Sequence, residues 1–138
     1  MDLRICIDVD DLERAIVFYT RGIGLVAGRR LRSDWAELLG ASAPIDLLAE
    51  PAGTAPLGEG HAERRHYLRH WTPVHLDFIV TDLDARVQVL QDLGARLERP
   101  IQQRSWGRMA NLADPFGHGL DLLEFQGRGY DEMMEDKP

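Results

Sequence analysis

The chain of 138 residues repeats itself once. Internal self-similarity constrains a fold more than any local motif, because both copies must build the same unit. Residues 3–9, Leu-Arg-Ile-Cys-Ile-Asp-Val, are matched by 74–80, Val-His-Leu-Asp-Phe-Ile-Val. Each run is followed by a polar residue and Asp-Leu, as Asp10-Asp11-Leu12 and Thr81-Asp82-Leu83. Gly24 and Gly94 then fall at matching points, as do Trp35 and Trp106. The halves close on Ile45-Asp46-Leu47-Leu48 and Leu120-Asp121-Leu122-Leu123. The offset is 71 between Val9 and Val80 and 75 between Asp46 and Asp121. The second half has therefore gained a few residues, expected in its last hairpin.

Each half reads as a strand, a helix and then further strands. Polar Arg4, Cys6 and Asp8 alternate with apolar Ile5, Ile7 and Val9, the period of a strand with two unlike faces. His75 and Asp77 repeat the pattern against Leu76, Phe78 and Val80. The first helix is expected from Asp10, with Glu13 three residues on, and carries the stripe Leu12, Ala15, Ile16, Tyr19. The second is expected from Thr81 with Asp84, its stripe Leu83, Val87, Leu90. Further strands are expected near 25–32, 34–39 and 44–50, and near 95–99, 107–113 and 119–125. Asp114-Pro115-Phe116-Gly117 is the tight turn of the last hairpin. The expected boundaries are a first module at 1–50, a linker at 51–70, a second module at 71–127 and a C-terminal tail at 128–138, mobile over 131–138, all one compact domain.

Composition then removes chemistries. One cysteine, Cys6, forbids an intrachain disulfide and a multi-cysteine zinc site. The single lysine, Lys137, argues against Schiff-base chemistry and a P-loop. None of the three serines lies in a G-x-S-x-G elbow. The net charge of −7 argues against nucleic acid as a partner, and no apolar run is long enough to span a membrane. Met1-Asp2-Leu3-Arg4 lacks a signal-peptide pattern, so a cytoplasmic location is expected. His, Asp, Glu, Arg and Tyr remain for function.

The segment Val9-x-Asp11-Leu12-Glu13-Arg14-x-x-x-Phe18-Tyr19, the turn at Gly24 and Asp114-Pro115-Phe116-Gly117 before a strand resemble the vicinal oxygen chelate superfamily. That group includes glyoxalase I, bleomycin-resistance proteins, extradiol dioxygenases and fosfomycin-resistance proteins. The resemblance covers about residues 3–125. It implies an α+β fold of two tandem βαβββ modules forming an open, cupped, eight-stranded mixed sheet, with the ligand inside the cup. It also implies a homodimer. Helices would cover the apolar face, so Arg4, Cys6, Asp8, His75 and Asp77 would face inward, with Asp46, Leu48, Glu50, Asp121, Leu123 and Phe125.

In metal-dependent members each module gives two ligands, a His on its first strand and a Glu on its last. The corresponding positions here are Arg4, Asp46, His75 and Asp121. Two accounts stand. In one, His75, Asp46 and Asp121 hold a divalent metal. In the other, Arg4 takes the place of the ion and pairs with Asp46 or Asp121, leaving no cofactor. The charge argument favours the second, because a guanidinium has no lone pair to give and repels a cation.

The expected partner is a small oxygen-bearing organic molecule. His75 is the candidate catalytic base, since imidazole titrates near neutral pH. Arg4, Asp8, Asp77, Trp106 and Phe125 are the candidate substrate contacts, and an anionic ligand is expected if Arg4 is free. Lyase or isomerase chemistry competes with non-catalytic binding of the bleomycin-resistance type. Glyoxalase I activity itself is disfavoured by Arg4, and dioxygenase chemistry by the lack of a second His. His66 and His70 could share a helix face, although a solvated loop is the stronger reading. His118 reads as a turn residue, and Tyr130 either folds back over the cup or anchors the tail.

Overall fold

The computed structural model describes residues 1–134. The chain divides into two compact units, Met1–Leu68 and Arg69–Pro138. The first has the expected βαβββ order, and the second has the same order with one short strand added. The first comprises β1 (Ile5–Val9), α1 (Leu12–Val17), β2 (Val26–Arg30), β3 (Trp35–Leu39) and β4 (Ile45–Ala49). A π-helical turn, Phe18–Ile23, extends α1 and ends on Gly24 at φ 97°. The second comprises β5 (Leu76–Ile79), α2 (Leu83–Asp92), β6 (Arg96–Leu97), β7 (Gln102–Arg104), β8 (Gly107–Ala113) and β9 (Gly119–Phe125). Sheet order is β1-β4-β3-β2 in one unit and β5-β9-β8-β6 in the other, with β7 also on β8. Short β7 is one strand more than the eight expected.

The registers explain the uneven offset. In both sheets the first strand runs parallel to the last, placing Cys6 beside Asp46 and Asp77 beside Asp121. The hairpin β3–β4 pairs Glu37 with Asp46, and β8–β9 pairs Asn111 with Asp121. Strands β8 and β9 have seven residues each, against five for β3 and β4. Glu37 and Asn111 already stand 74 apart, so three of the four added residues lie ahead of that pair and only one lies in the hairpin.

Period-two alternation buries one face of each sheet under its helix. Val9, Ala15, Phe18, Tyr19, Leu38, Ile45 and Leu47 pack in the first unit. Leu83, Leu90, Leu112, Phe116, Leu120 and Leu122 pack in the second. Fully burying one such large side chain contributes roughly 1.5–3 kcal/mol. The polar residues left on the opposite faces are the candidate functional groups.

Both helices start one residue later than expected. Asp11, not Asp10, caps α1 and accepts from the Arg14 amide; Asp82, not Thr81, caps α2 and accepts from the Ala85 amide. Aspartate satisfies an orphan N–H at this position. Residues 51–68 belong with the first unit. The Gly53 amide donates to the Arg65 carbonyl and the Arg65 amide to the Thr54 carbonyl. Tyr67 donates its hydroxyl to the Glu50 carbonyl at 2.5 Å. His66 and His70 lie in irregular chain and share no helix. Of the expected C-terminal tail, residues 128–134 include a 3-10 turn, Gly129–Met133; residues 135–138 lie outside the described ones.

Candidate functional site

In the first unit the polar face is an ion network. Arg4 stands just before β1 and donates Nε to Asp46 Oδ2 at 2.9 Å and Nη2 to Asp46 Oδ1 at 2.7 Å. The same Nη2 donates to Glu37 Oε2 at 2.7 Å. Arg29 closes on Glu37 from β2, with Nε to Oε1 at 3.0 Å and Nη2 to Oε2 at 2.7 Å. Trp35 adds its indole N–H to Asp46 Oδ1 at 3.1 Å. Both carboxylates are buried while the Arg4 side chain is 41% exposed. Gly28 permits this packing: a Cβ there would lie 2.9 Å from Glu37 Oε1.

Charge-assisted hydrogen bonds fix the protonation states. The Arg29 and Arg4 guanidinium groups hold Glu37 down at about 2. Arg4 likewise lowers Asp46, against the cost of burial. The carboxylates in turn raise Arg4 further above its already high value.

In the second unit the same positions carry a different set. His75 Nε2 lies 3.1 Å from Asp77 Oδ1 and 3.7 Å from Asp121 Oδ2. Asn111 donates to Asp121 Oδ1 at 2.6 Å, Gln102 donates to Asn111 Oδ1 at 2.9 Å, and Arg104 reaches Gln102. This chain of donors pins Asp121 from behind and leaves its second oxygen toward His75. Burial, reinforced by Asp121, raises Asp77 above its ordinary value, while His75 pulls it down. One donor atom each from His75, Asp77 and Asp121 lie within 4.8 Å of one another, so these three could hold a metal ion. A cavity of about 170 Å³ borders His75, Asn111 and Asp121, with Trp71 and Arg69 on its wall.

The remaining expected contacts sort plainly. Asp8 is paired with Arg65 at 2.9 Å, so its carboxylate is already answered within its own unit. Trp106 and Phe125 meet edge-to-face at 5.9 Å, and Tyr130 closes on both at 5.2 and 4.8 Å. Burial first, then the charges of Asp77 and Asp121, raise the Tyr130 phenol. Tyr130 therefore folds back onto Trp106 and Phe125. His118 faces Asp114 at 2.8 Å and completes its turn. Cys6 is exposed.

Of the expected metal set, His75 and Asp121 come together with Asp77, whereas Asp46 is engaged by Arg4 and Trp35. Arg4 is not free to meet an anion through the edge it gives to Asp46. Two residues were missed by sequence reasoning, Glu37 and Asn111. They face Asp46 and Asp121 across equivalent hairpins. Alternation from Trp35 could have flagged Glu37. Residues gained ahead of Asn111 hide it, because the offset of the tryptophans points to Arg108 instead.

The model of the glyoxalase-like domain family matches residues 4–123. The chain belongs to that family. An uncharacterized protein of Mycobacterium bovis is 30% identical over 116 residues, covering 83% of this glyoxalase-like chain and 76% of that protein. The anthracycline biosynthesis protein DauV of Streptomyces sp. (strain C5) is 31% identical over 119 residues, 85% of this chain but 38% of DauV. Among solved structures, the fosfomycin resistance protein FosX of Listeria monocytogenes matches with a TM-score of 0.69 at 19% identity, covering 96% of both chains. A FosX mutant complexed with Mn(II) and 1S,2S-dihydroxypropylphosphonic acid matches with a TM-score of 0.66 at 18% identity, over 87% of this chain and 86% of that one. These two likenesses show the fold.

The metal that the fold family implies can be tested against the residues present. In this glyoxalase-like chain the first module does not fit it. One of its two ligand positions is an arginine, which has no lone pair to donate, and that arginine occupies the other ligand, Asp46. The second module does offer donors of the right kind, an imidazole and two carboxylates.

Proposed function

We propose that the chain binds a small oxygen-bearing organic molecule against the polar face of its second module, and that His75 moves a proton there. The reading rests on one observation: His75, Asp77 and Asp121 converge beside a cavity while the equivalent groups of the first module are consumed by ion pairs. With Nε2–H donated to Asp77, the base is the Nδ1 lone pair of the imidazole. Asp121, held by Asn111, stabilises the imidazolium that forms. That chemistry suits a lyase or isomerase. Trp106, Phe125 and Tyr130 pack on one another in the same unit and do not line that cavity. If a divalent ion binds, His75, Asp77 and Asp121 hold it, and it would polarise a ligand oxygen; the FosX complex with Mn(II) supports that branch.

Non-catalytic binding is the second reading, favoured by the exposure of His75, whose side chain is 55% accessible. Both are tested by titrating the isotope-labelled chain with catechol, acetohydroxamate and lactate. Resonance shifts are expected at His75, Asn111 and Asp121, and shifts confined elsewhere overturn the site. For any compound that is turned over, His75→Ala should abolish turnover and leave affinity within a few fold. A binding protein shows ligand affinity and no turnover to lose.

We also propose that the protein acts as a homodimer. Trp71, Val74 and Ile79 are 81%, 73% and 66% exposed, an apolar surface that a second copy would cover.

A further inference from the structure

We propose that Arg4 replaces the metal ion in the first module, so that this half of the protein carries a built-in cation and excludes a bound one. The inference is independent of what the second module binds.

Three observations carry it. First, Arg4 uses the edge of its guanidinium formed by Nε and Nη2 to grip Asp46 with two parallel bonds, and turns the second Nη2 hydrogen on Glu37. A planar guanidinium so placed has its donors where an ion would have its charge. Second, the charges already balance. Arg4 and Arg29 face Glu37 and Asp46, and both acids are kept ionised by the arginines rather than waiting for a cation. A divalent ion added here would meet two fixed positive groups at contact distance. Third, no lone pair is left wanting. Asp46 accepts from Arg4 on both oxygens and from the Trp35 indole, and no buried side-chain polar atom among the described residues lacks a partner.

The internal repeat supplies the contrast. Arg4 corresponds to His75, Asp46 to Asp121 and Glu37 to Asn111. The second module thus has an imidazole and a neutral amide where the first has a guanidinium and a carboxylate. Exchange of cation for ligand and acid for amide goes together. The Nη1 nitrogen of Arg4 bonds neither carboxylate and remains to meet a ligand oxygen. The first module offers such an oxygen hydrogen-bond donation instead of coordination.

Calorimetric titration with Zn²⁺ tests this. Asp46→Asn in the otherwise unaltered chain should leave Zn²⁺ affinity within twofold. Arg4→His should add a site at least tenfold tighter than any binding by the first module of the parent, and Asp46→Asn in that background should remove it. A tenfold or greater loss in Asp46→Asn alone overturns the proposal, because Asp46 would then be a ligand. An Arg4→His protein without an added site also overturns it, because the guanidinium would not be what keeps the ion out. If a variant fails to fold, the unaltered chain still decides. The side-chain carboxyl ¹³C resonance of Asp46 should stay in place as Zn²⁺ is added, and its displacement overturns the proposal.

Discussion

At the scale of single residues, the first module is governed by how Glu37 is held. Its ordinary value near 4.5 falls to about 2 because Arg29 and Arg4 donate to it from two strands. A carboxylate lowered on folding stabilises the native state at pH values above its unfolded value. That contribution is lost as pH falls from about 4.5 through about 2. Glu37→Gln should therefore flatten the fall of unfolding free energy across that window while lowering stability at neutral pH. Urea unfolding at a series of pH values measures both, and parallel acid limbs for the two proteins would sink the assignment. Gly28 belongs to the same argument. A methyl group there meets Glu37 Oε1 at 2.9 Å, so Gly28→Ala should displace the carboxylate and lower the melting temperature. In the second module the corresponding position is Asn111, which cannot titrate. Asn111→Ala should free Asp121 from its 2.6 Å bond and weaken any ligand that His75 engages by several fold, measured as a rise in Kd. Unchanged affinity would mean that Asp121 needs no positioning.

At the scale of elements, the helix caps give a prediction with its own control. Asp82 accepts from the Ala85 amide, and Asp11 from the Arg14 amide. Losing such a cap costs about 1 kcal/mol. Asp82→Ala and Asp11→Ala should each destabilise by that amount in chemical denaturation, whereas Asp10→Ala should be nearly neutral. Equal effects at Asp10 and Asp11 would show that the cap is not decisive. The caps also show where sequence reading stops. Asp10-Asp11 offers two adjacent carboxylates, and the capping pattern with Glu13 favoured the first; backbone direction at the end of β1 chooses the second. The repeat, the alternation of β1 and β5 and the strands 107–113 and 119–125 were legible because burial on one face leaves a period of two in the sequence. That period put Arg4, Asp46, His75 and Asp121 on one face, and the family resemblance singled them out as ligand positions. Glu37 and Asn111 were not legible, because cross-strand pairing depends on register, and three residues added ahead of Asn111 shift it. Arg65 was hidden for another reason. It answers Asp8 from a segment with no periodic pattern, across 57 positions of chain.

At the scale of the whole molecule, the two units share a plan and differ in what they leave unsatisfied. The polar face of the first is closed by its own arginines. The second keeps an imidazole and two carboxylates beside a cavity. It also keeps apolar surface: Trp71, Val74 and Ile79 are exposed, and β5, which carries Ile79, is paired on one side only within its sheet. An unpaired strand edge with exposed branched side chains is a template for association. The net charge of −7 opposes association at long range, yet charge repulsion between exposed groups is screened within about 10 Å at 0.1 M salt. Apolar burial is not screened. The proposed homodimer should therefore persist or tighten as salt is raised, with twice the 15.6 kDa mass of one chain. Light scattering on eluted protein at 50 mM and 1 M salt measures this. Ile79→Lys should shift the equilibrium toward monomer while leaving the helix caps and the Arg4 network untouched. A monomer at both salt concentrations would refute the assembly and leave the edge of β5 to another partner.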